Sequence, residues 1–171
     1  MVDPLEMVVA VYPEEQRAAE VYRELQAELK DAPEDIRRAA ILVKKNQGEV
    51  LVQDPGQLGT GGGTVFGTLL GAVVGLLAGG PAGAVVGAAA GGVTGGVTSS
   101  GNNLGFNPQT LEGLKEGMPV NSSAILLVIE RKSLDGVRQK LVQYQGKIYD
   151  QSLNESFASQ LLKDGDTDAE E

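Results

Sequence analysis

Gly59, Gly63, Gly67, Gly71, Gly75, Gly79, Gly83, Gly87, Gly91 and Gly95 stand four residues apart, ten times in succession. A spacing of four is a ridge spacing of the α-helix, so the pattern describes a helical surface with its side chains removed along one line. Glycine costs about 1 kcal/mol relative to alanine inside a helix, and a helix this rich in it is unstable alone in water. Close packing has to compensate. Without a Cβ, two helix backbones approach until van der Waals contact and Cα–H groups facing carbonyls supply attraction, with a right-handed crossing near about −40° favoured.

The stripe lies within Pro55 to Leu111, which contains no Asp, Glu, Lys or Arg, whereas the chain as a whole carries 23 acids and 14 bases. The segment is therefore expected to be a separate physical object, a glycine-zipper hairpin inserted over residues 55–106. Thr64 to Gly79 reads as one helix, Gly80 and Pro81 as the turn, and Pro81 to Thr98 as the returning helix. Val65, Phe66, Leu69, Leu70, Val73, Val74, Leu76 and Leu77 give the first arm a surface that suits lipid or a partner. The second arm is richer in Ala, Gly and Thr and would enter a bilayer only alongside the first. An arm of sixteen residues rises about 24 Å against a hydrocarbon core of about 30 Å, and the uncharged flanks from Leu58 to Asn102 can lengthen it. No Lys or Arg lies between Lys45 and Lys115 to orient the hairpin. Two crossings would leave both flanks on one side.

The flanking parts carry the pattern of a mixed fold. Leu5 to Tyr12 (LEMVVAVY) is hydrophobic on both faces, as in a strand at the centre of a sheet. Pro13 starts a predicted helix running to Lys30, with Ala18, Tyr22, Leu25 and Leu29 at helical spacing. Ala39 to Lys45 and Glu49 to Asp54 read as strands joined by a tight turn at Gly48 with positive φ. In the third part, Asn107 and Pro108 open a short helix with Leu111, Leu114 and Met118 inward. Ser123 to Glu130 is another interior strand. Ser133 caps a helix with Leu134, Val137, Leu141 and Tyr144 on one face, and Lys147 to Ser152 is a half-exposed strand. Asn154 to Lys163 closes as a helix presenting Phe157 and Leu161. The acidic tail, residues 164–171, is expected to be disordered. The parts 1–54 and 107–163, the two halves of the body, each offer a strand-helix-strand unit, residues 5–45 and 123–152. Together they predict an α+β, ferredoxin-like body: a four-stranded antiparallel sheet with two helices packed on one face, interrupted by the hairpin.

Composition removes most small-enzyme chemistry. The chain has no cysteine and no histidine, so thiolate or imidazole ligands and nucleophiles are absent, and no catalytic, metal or cofactor residues are expected. A net charge of −9 opposes binding to nucleic acid. The order strand, Gly59 to Gly63, helix resembles a phosphate cradle, yet it lacks the Lys-Ser/Thr of a Walker loop and the dinucleotide spacing. Glu14, Glu15, Glu20, Glu24 and Glu28 read as the solvated face of a helix. Tyr12, Tyr22, Tyr144 and Tyr149 are expected to pack with hydroxyls at the rim. Thr60, Thr64, Thr68, Thr94 and Thr98 are expected to bond back to helix carbonyls, and Asn102 and Asn103 to punctuate the hairpin's exit.

The strand VVAVY and the helix after it at 7–30, the glycine hairpin at 59–98, and NSSAILLVIE at 121–130 followed by helix and strand are together similar to a bacterial family. It is catalogued as domain of unknown function twelve-sixty-nine and labelled predicted membrane protein. The resemblance covers nearly the whole chain; it implies a ferredoxin-like body carrying a membrane-type hairpin and brings no catalytic residues. The reading of the sequence is then a non-enzymatic, self-associating protein, a homo-oligomer held to a lipid bilayer by its hairpins with both termini in the cytoplasm. Asp3 and Glu6 argue against a secretory signal. The alternative is a cytoplasmic, soluble assembly or shell whose hairpins are sequestered between subunits. No small-molecule ligand is indicated.

Overall fold

The computed structural model describes residues 3–30, 36–53, 64–90 and 107–167. Five strands, β1 (Leu5–Tyr12), β2 (Ile36–Lys44), β3 (Val50–Gln53), β4 (Ser122–Glu130) and β5 (Lys147–Ser152), form one antiparallel sheet in the order β3-β2-β4-β1-β5. Among the described residues five α-helices accompany them: α1 (Arg17–Glu28), α2 (Thr64–Ala90), α3 (Pro108–Gly117), α4 (Leu134–Gln143) and α5 (Glu155–Thr167). Strands from the two ends of the chain interleave, since β1 lies between β4 and β5 and β4 lies between β1 and β2. Neither half owns a sheet of its own.

Local chemistry accounts for most of these elements. β1 and β4 are buried at every position, as expected for Val- and Ile-rich strands in the middle of a sheet. β2 and β3 are joined by a turn in which Gly48 adopts φ +84°, a conformation that only glycine adopts without strain. The Asn107 side chain accepts from the Gln109 N–H at 2.9 Å and Pro108 takes the first helical position, so α3 starts where its cap dictates. α1 begins at Arg17, later than the sequence reading, because Pro13 to Gln16 form a turn. Buried Ser123 fixes that entry: its Oγ accepts from the Ala18 N–H at 3.0 Å and donates to the Glu14 carbonyl. α5 extends beyond Lys163 to Thr167, four residues into the tail expected to be disordered; 168–171 lie outside the described residues.

The sheet is covered on both faces, and this determines the architecture. On one face, Val8, Ala10, Ile41, Val43, Ile125, Leu127 and Ile129 meet Val21, Tyr22 and Leu25 of α1 and Val137 and Leu141 of α4. On the other, Met7, Val9, Leu42, Leu126 and Val128 meet Leu114 of α3, Phe157 and Leu161 of α5, and the first half of α2. The sequence reading placed four strands in the sheet and helices on one face; the structure adds β3 as an edge strand and a second helical layer.

Two expectations about the glycine-rich segment are corrected here. The chain does not reverse at Gly80 and Pro81: α2 is a single helix of 27 residues that runs through both. An interior proline removes one hydrogen bond and crowds the carbonyl four residues earlier, costing about 3 kcal/mol, which bends a helix as readily as it ends one. Whether a second helix follows, from 91 to Thr98, lies outside the described residues. Six of the first arm's apolar side chains turn into the chain's own core rather than towards lipid or a partner. Val65, Phe66, Leu69, Val73, Leu76 and Leu77 are buried, and Leu70 and Val74 pack partly buried against the same cluster. The chain's own sheet, apolar on both faces, takes up that surface.

Leu69 is fully buried between α2 and the sheet; Leu69→Ala is expected to lower unfolding free energy by about 2–5 kcal/mol in urea titrations. A value under about 0.5 kcal/mol would remove α2 from the core.

α3 and β5 touch through Gly117 and Tyr149, where a Cβ would overlap the Tyr149 hydroxyl and stand 2.8 Å from Cζ. Gly117→Ala should therefore destabilise by about 1–3 kcal/mol. Tyr149→Phe, which removes a buried hydroxyl without a hydrogen-bond partner, should be neutral or stabilising alone and recover part of that loss in the double variant.

Burial pushes the Tyr12 phenol up to about 12, with Arg17 opposing, and the hydrogen bond to Glu28 pushes Tyr144 up to about 12. Both folded values lie above the usual 10.0, so their stabilisation is complete below pH 10 and lost as pH rises towards about 12. Denaturation measured across that window should show the fall, and Tyr12→Phe should shrink it.

Candidate interaction face

α2 divides its surface cleanly along its first half. Val65, Phe66, Thr68, Leu69, Ala72, Val73, Leu76 and Leu77 are buried, while Gly67, Gly71 and Gly75 are half-buried and Ala78 is exposed. At 100° per residue, Gly67, Gly71 and Ala78 fall on the side opposite Leu69, with Gly75 flanking them. Gly67, Gly71 and Gly75 therefore lie, half-buried, on the side of the helix turned away from the sheet. Their packing capacity is not used against the sheet, which is met by side chains, and no charged residue occurs along the helix.

Of the other predicted helix-packing residues, Gly79, Gly83 and Gly87 continue the spacing along the backbone of α2. Gly59, Gly63, Gly91 and Gly95 lie outside the described residues. Among the described residues, no helix is long and apolar enough to cross a membrane. α2 contacts α3, α5 and β3, so its first half is anchored within the domain rather than carried apart from it.

The polar surface is organised as ion pairs. Glu20, Glu24 and Glu28 of α1 are exposed as expected, Glu20 pairing with Arg17 at 3.3 Å and Glu28 with Lys140 at 3.1 Å, whereas Glu15 lies in the turn before the helix, half-buried, and pairs with Lys45 at 2.6 Å. Tyr144 and Lys140 hold the Glu28 carboxyl below its usual range. A shallow groove of about 260 Å³ opens between the start of α1 and the β2–β3 hairpin, lined by Glu15, Gln16, Arg23, Val43, Lys45 and Gln53. Among the described residues no group of His, Cys, Asp or Glu is placed to hold a metal ion.

The tyrosines depart from expectation. Tyr144 alone places its hydroxyl at the rim, donating to Glu28 at 2.7 Å. The hydroxyls of Tyr12, Tyr22 and Tyr149 are buried. Tyr12 stands against Gly146, where a Cβ would come within 2.8 Å of its hydroxyl, so the absence of a side chain there makes room for the phenol.

Sequence reasoning missed the charged end of the sheet, where β1 and β2 begin and β4 and β5 end. Glu6, only 3% exposed, accepts from Arg131 Nε at 2.7 Å and from Ser152 Oγ at 2.8 Å. Glu130 pairs with Lys132 at 2.8 Å and with Arg37, and Lys132 and Arg37 hold its carboxyl below the usual range. Arg38 is buried beside them. The visible signal was the doublet Arg37-Arg38, which precedes the Ala39 at which the strand was expected to begin.

The family model described as protein of unknown function (DUF1269) matches residues 64–164, from the start of α2 through most of α5. No curated protein and no solved structure matches the chain. The match spans more than half of the sequence and takes in the glycine-striped helix, the β4 strand and the β4-α4-β5 unit, and the chain belongs to the DUF1269 family of proteins of unknown function.

Proposed function

We propose that the chain is a non-enzymatic, self-associating α+β protein in which the outer glycine face of α2 is the contact between copies. The observation that carries this reading is the outward position of Gly67, Gly71 and Gly75 on a helix whose opposite side is anchored to the sheet. Three glycines cost about 3 kcal/mol relative to alanine, and contact with the sheet does not require them. A close helix-to-helix approach does. The partner favoured by charge is a second copy of this chain: with a net charge of −9, two copies repel except where they meet through the uncharged stretch. A stripe of i+4 spacing is also complementary to itself across a two-fold axis.

The body that presents this face reads as ferredoxin-like. Units β1-α1-β2 and β4-α4-β5 supply the four strands in the order β2-β4-β1-β5, with α1 and α4 on one face. In this reading β3 is an added edge, and α2, α3 and α5 cover the face that the two-layer arrangement leaves open. Contact between copies is favoured over lipid, because the large apolar side chains of α2 are already engaged by the sheet.

Gly71→Leu tests the contact. Leucine is the better helix former, so the fold should persist by circular dichroism. Wild type should sediment as a dilution-dependent oligomer, and the variant should dissociate at least tenfold more readily, a loss of about 1.4 kcal/mol or more. Unchanged association, or a wild-type monomer that floats with lipid vesicles, would overturn the proposal in favour of a different surface or of the bilayer.

A further inference from the structure

Arg38 occupies a position at which a charge is costly. It pairs in register with Val128, and the flanking pairs on the same face, Ala40 with Leu126 and beyond, belong to the apolar cluster beneath α2, α3 and α5. Its side chain therefore leaves the sheet on that covered face, and the residue is only 8% exposed. Nη1 donates to the Arg37 carbonyl at 2.9 Å. Nε and Nη2 are buried without a hydrogen-bond partner among the described residues.

Those two nitrogens are not an arbitrary pair. They form one edge of the guanidinium plane, with N–H bonds directed roughly parallel, the arrangement that takes two oxygens of a carboxylate or phosphate at once. The buried carboxylates at this end of the sheet are engaged elsewhere: Glu130 by Arg37 and Lys132, Glu6 by Arg131. β3 stops opposite Ile41, and β2 continues to Ile36 without that neighbour among the described residues, so Arg38 lies beyond the paired part of this margin of the sheet. An unpaired ion in such surroundings is destabilising, and an anion that bonds the free edge offsets that cost.

We propose that Arg38 is an oxyanion-binding residue, and that the free Nε/Nη2 edge of its guanidinium holds a small carboxylate or phosphate group at the margin of the sheet. The proposal is independent of self-association through α2. Thermal unfolding of the full chain is followed at constant ionic strength while chloride is exchanged for inorganic phosphate in one series and for acetate in the other. Wild type should show a saturable rise in Tm of a few degrees with one or both anions by about 50 mM. Phosphate alone acting would assign a tetrahedral anion, acetate alone a carboxylate, and both the shared oxyanion chemistry.

Arg38→Met removes the charge and should be at least as stable as wild type in chloride, with no saturable response. Arg38→Lys keeps the charge but loses the planar fork, and should weaken the response at least tenfold; it carries the comparison if the methionine variant fails to fold. A wild type without response, or equal responses in wild type and the lysine variant, would overturn the assignment.

Discussion

The structure depends on the second face of its sheet being kept dry. β1 and β4 are buried along their whole length, and they carry large apolar side chains both up and down. Each such side chain withdrawn from water contributes about 1.5–3 kcal/mol. α1 and α4 cover one face only, so without a second layer Met7, Val9, Leu126 and Val128 would be exposed to water. α2 supplies much of that layer, assisted by α3 and α5. The first half of α2 is thus a structural layer of the domain, and its buried residues cannot cover the sheet and face a bilayer at once.

This explains which parts of the fold were legible. Gly48 in its turn, Asn107 with Pro108, Phe157 and Leu161 on α5, and the strand β5 act through local chemistry, and a local pattern reveals them. The role of α2 is non-local. Its buried residues, Val65, Phe66, Leu69, Val73, Leu76 and Leu77, form a helical face equally suited to lipid and to a sheet, because both are apolar. The discriminating signal lay elsewhere, in β1 and β4: strands hydrophobic on both sides need cover on both sides, and two helices on one face do not provide it. Reading that requirement against the supply of helices assigns α2 to the sheet. The proline was misread for a related reason. Pro81 ends a helix only if nothing else holds the turns around it, and that is a property of the whole chain rather than of the dipeptide.

The charged end of the sheet was invisible for a different reason. Glu6 and Arg131 are 125 residues apart, and Arg37 and Glu130 are 93 apart, yet the antiparallel pairing of β1 and β2 with β4 brings them to one place. A sequence shows such residues as isolated charges beside hydrophobic strands. Only the folded chain shows that Glu6 and Glu130 are already satisfied and that one edge of Arg38 is not, among the described residues.

The glycine stripe and the sheet-facing side chains of α2 make opposite demands on one helix. The inner face gains from large residues, each of which strengthens the core and tolerates little change. The outer face gives up helix stability at Gly67, Gly71 and Gly75, where alanine would serve the fold better by about 1 kcal/mol each. A helix required only to cover a sheet would have polar residues outside, and one required only to sit in lipid would have large apolar residues all round. α2 has neither. The combination of a bulky anchored side and a half-buried glycine side is what a helix needs if it must stay fixed to its own domain while another backbone lies against it.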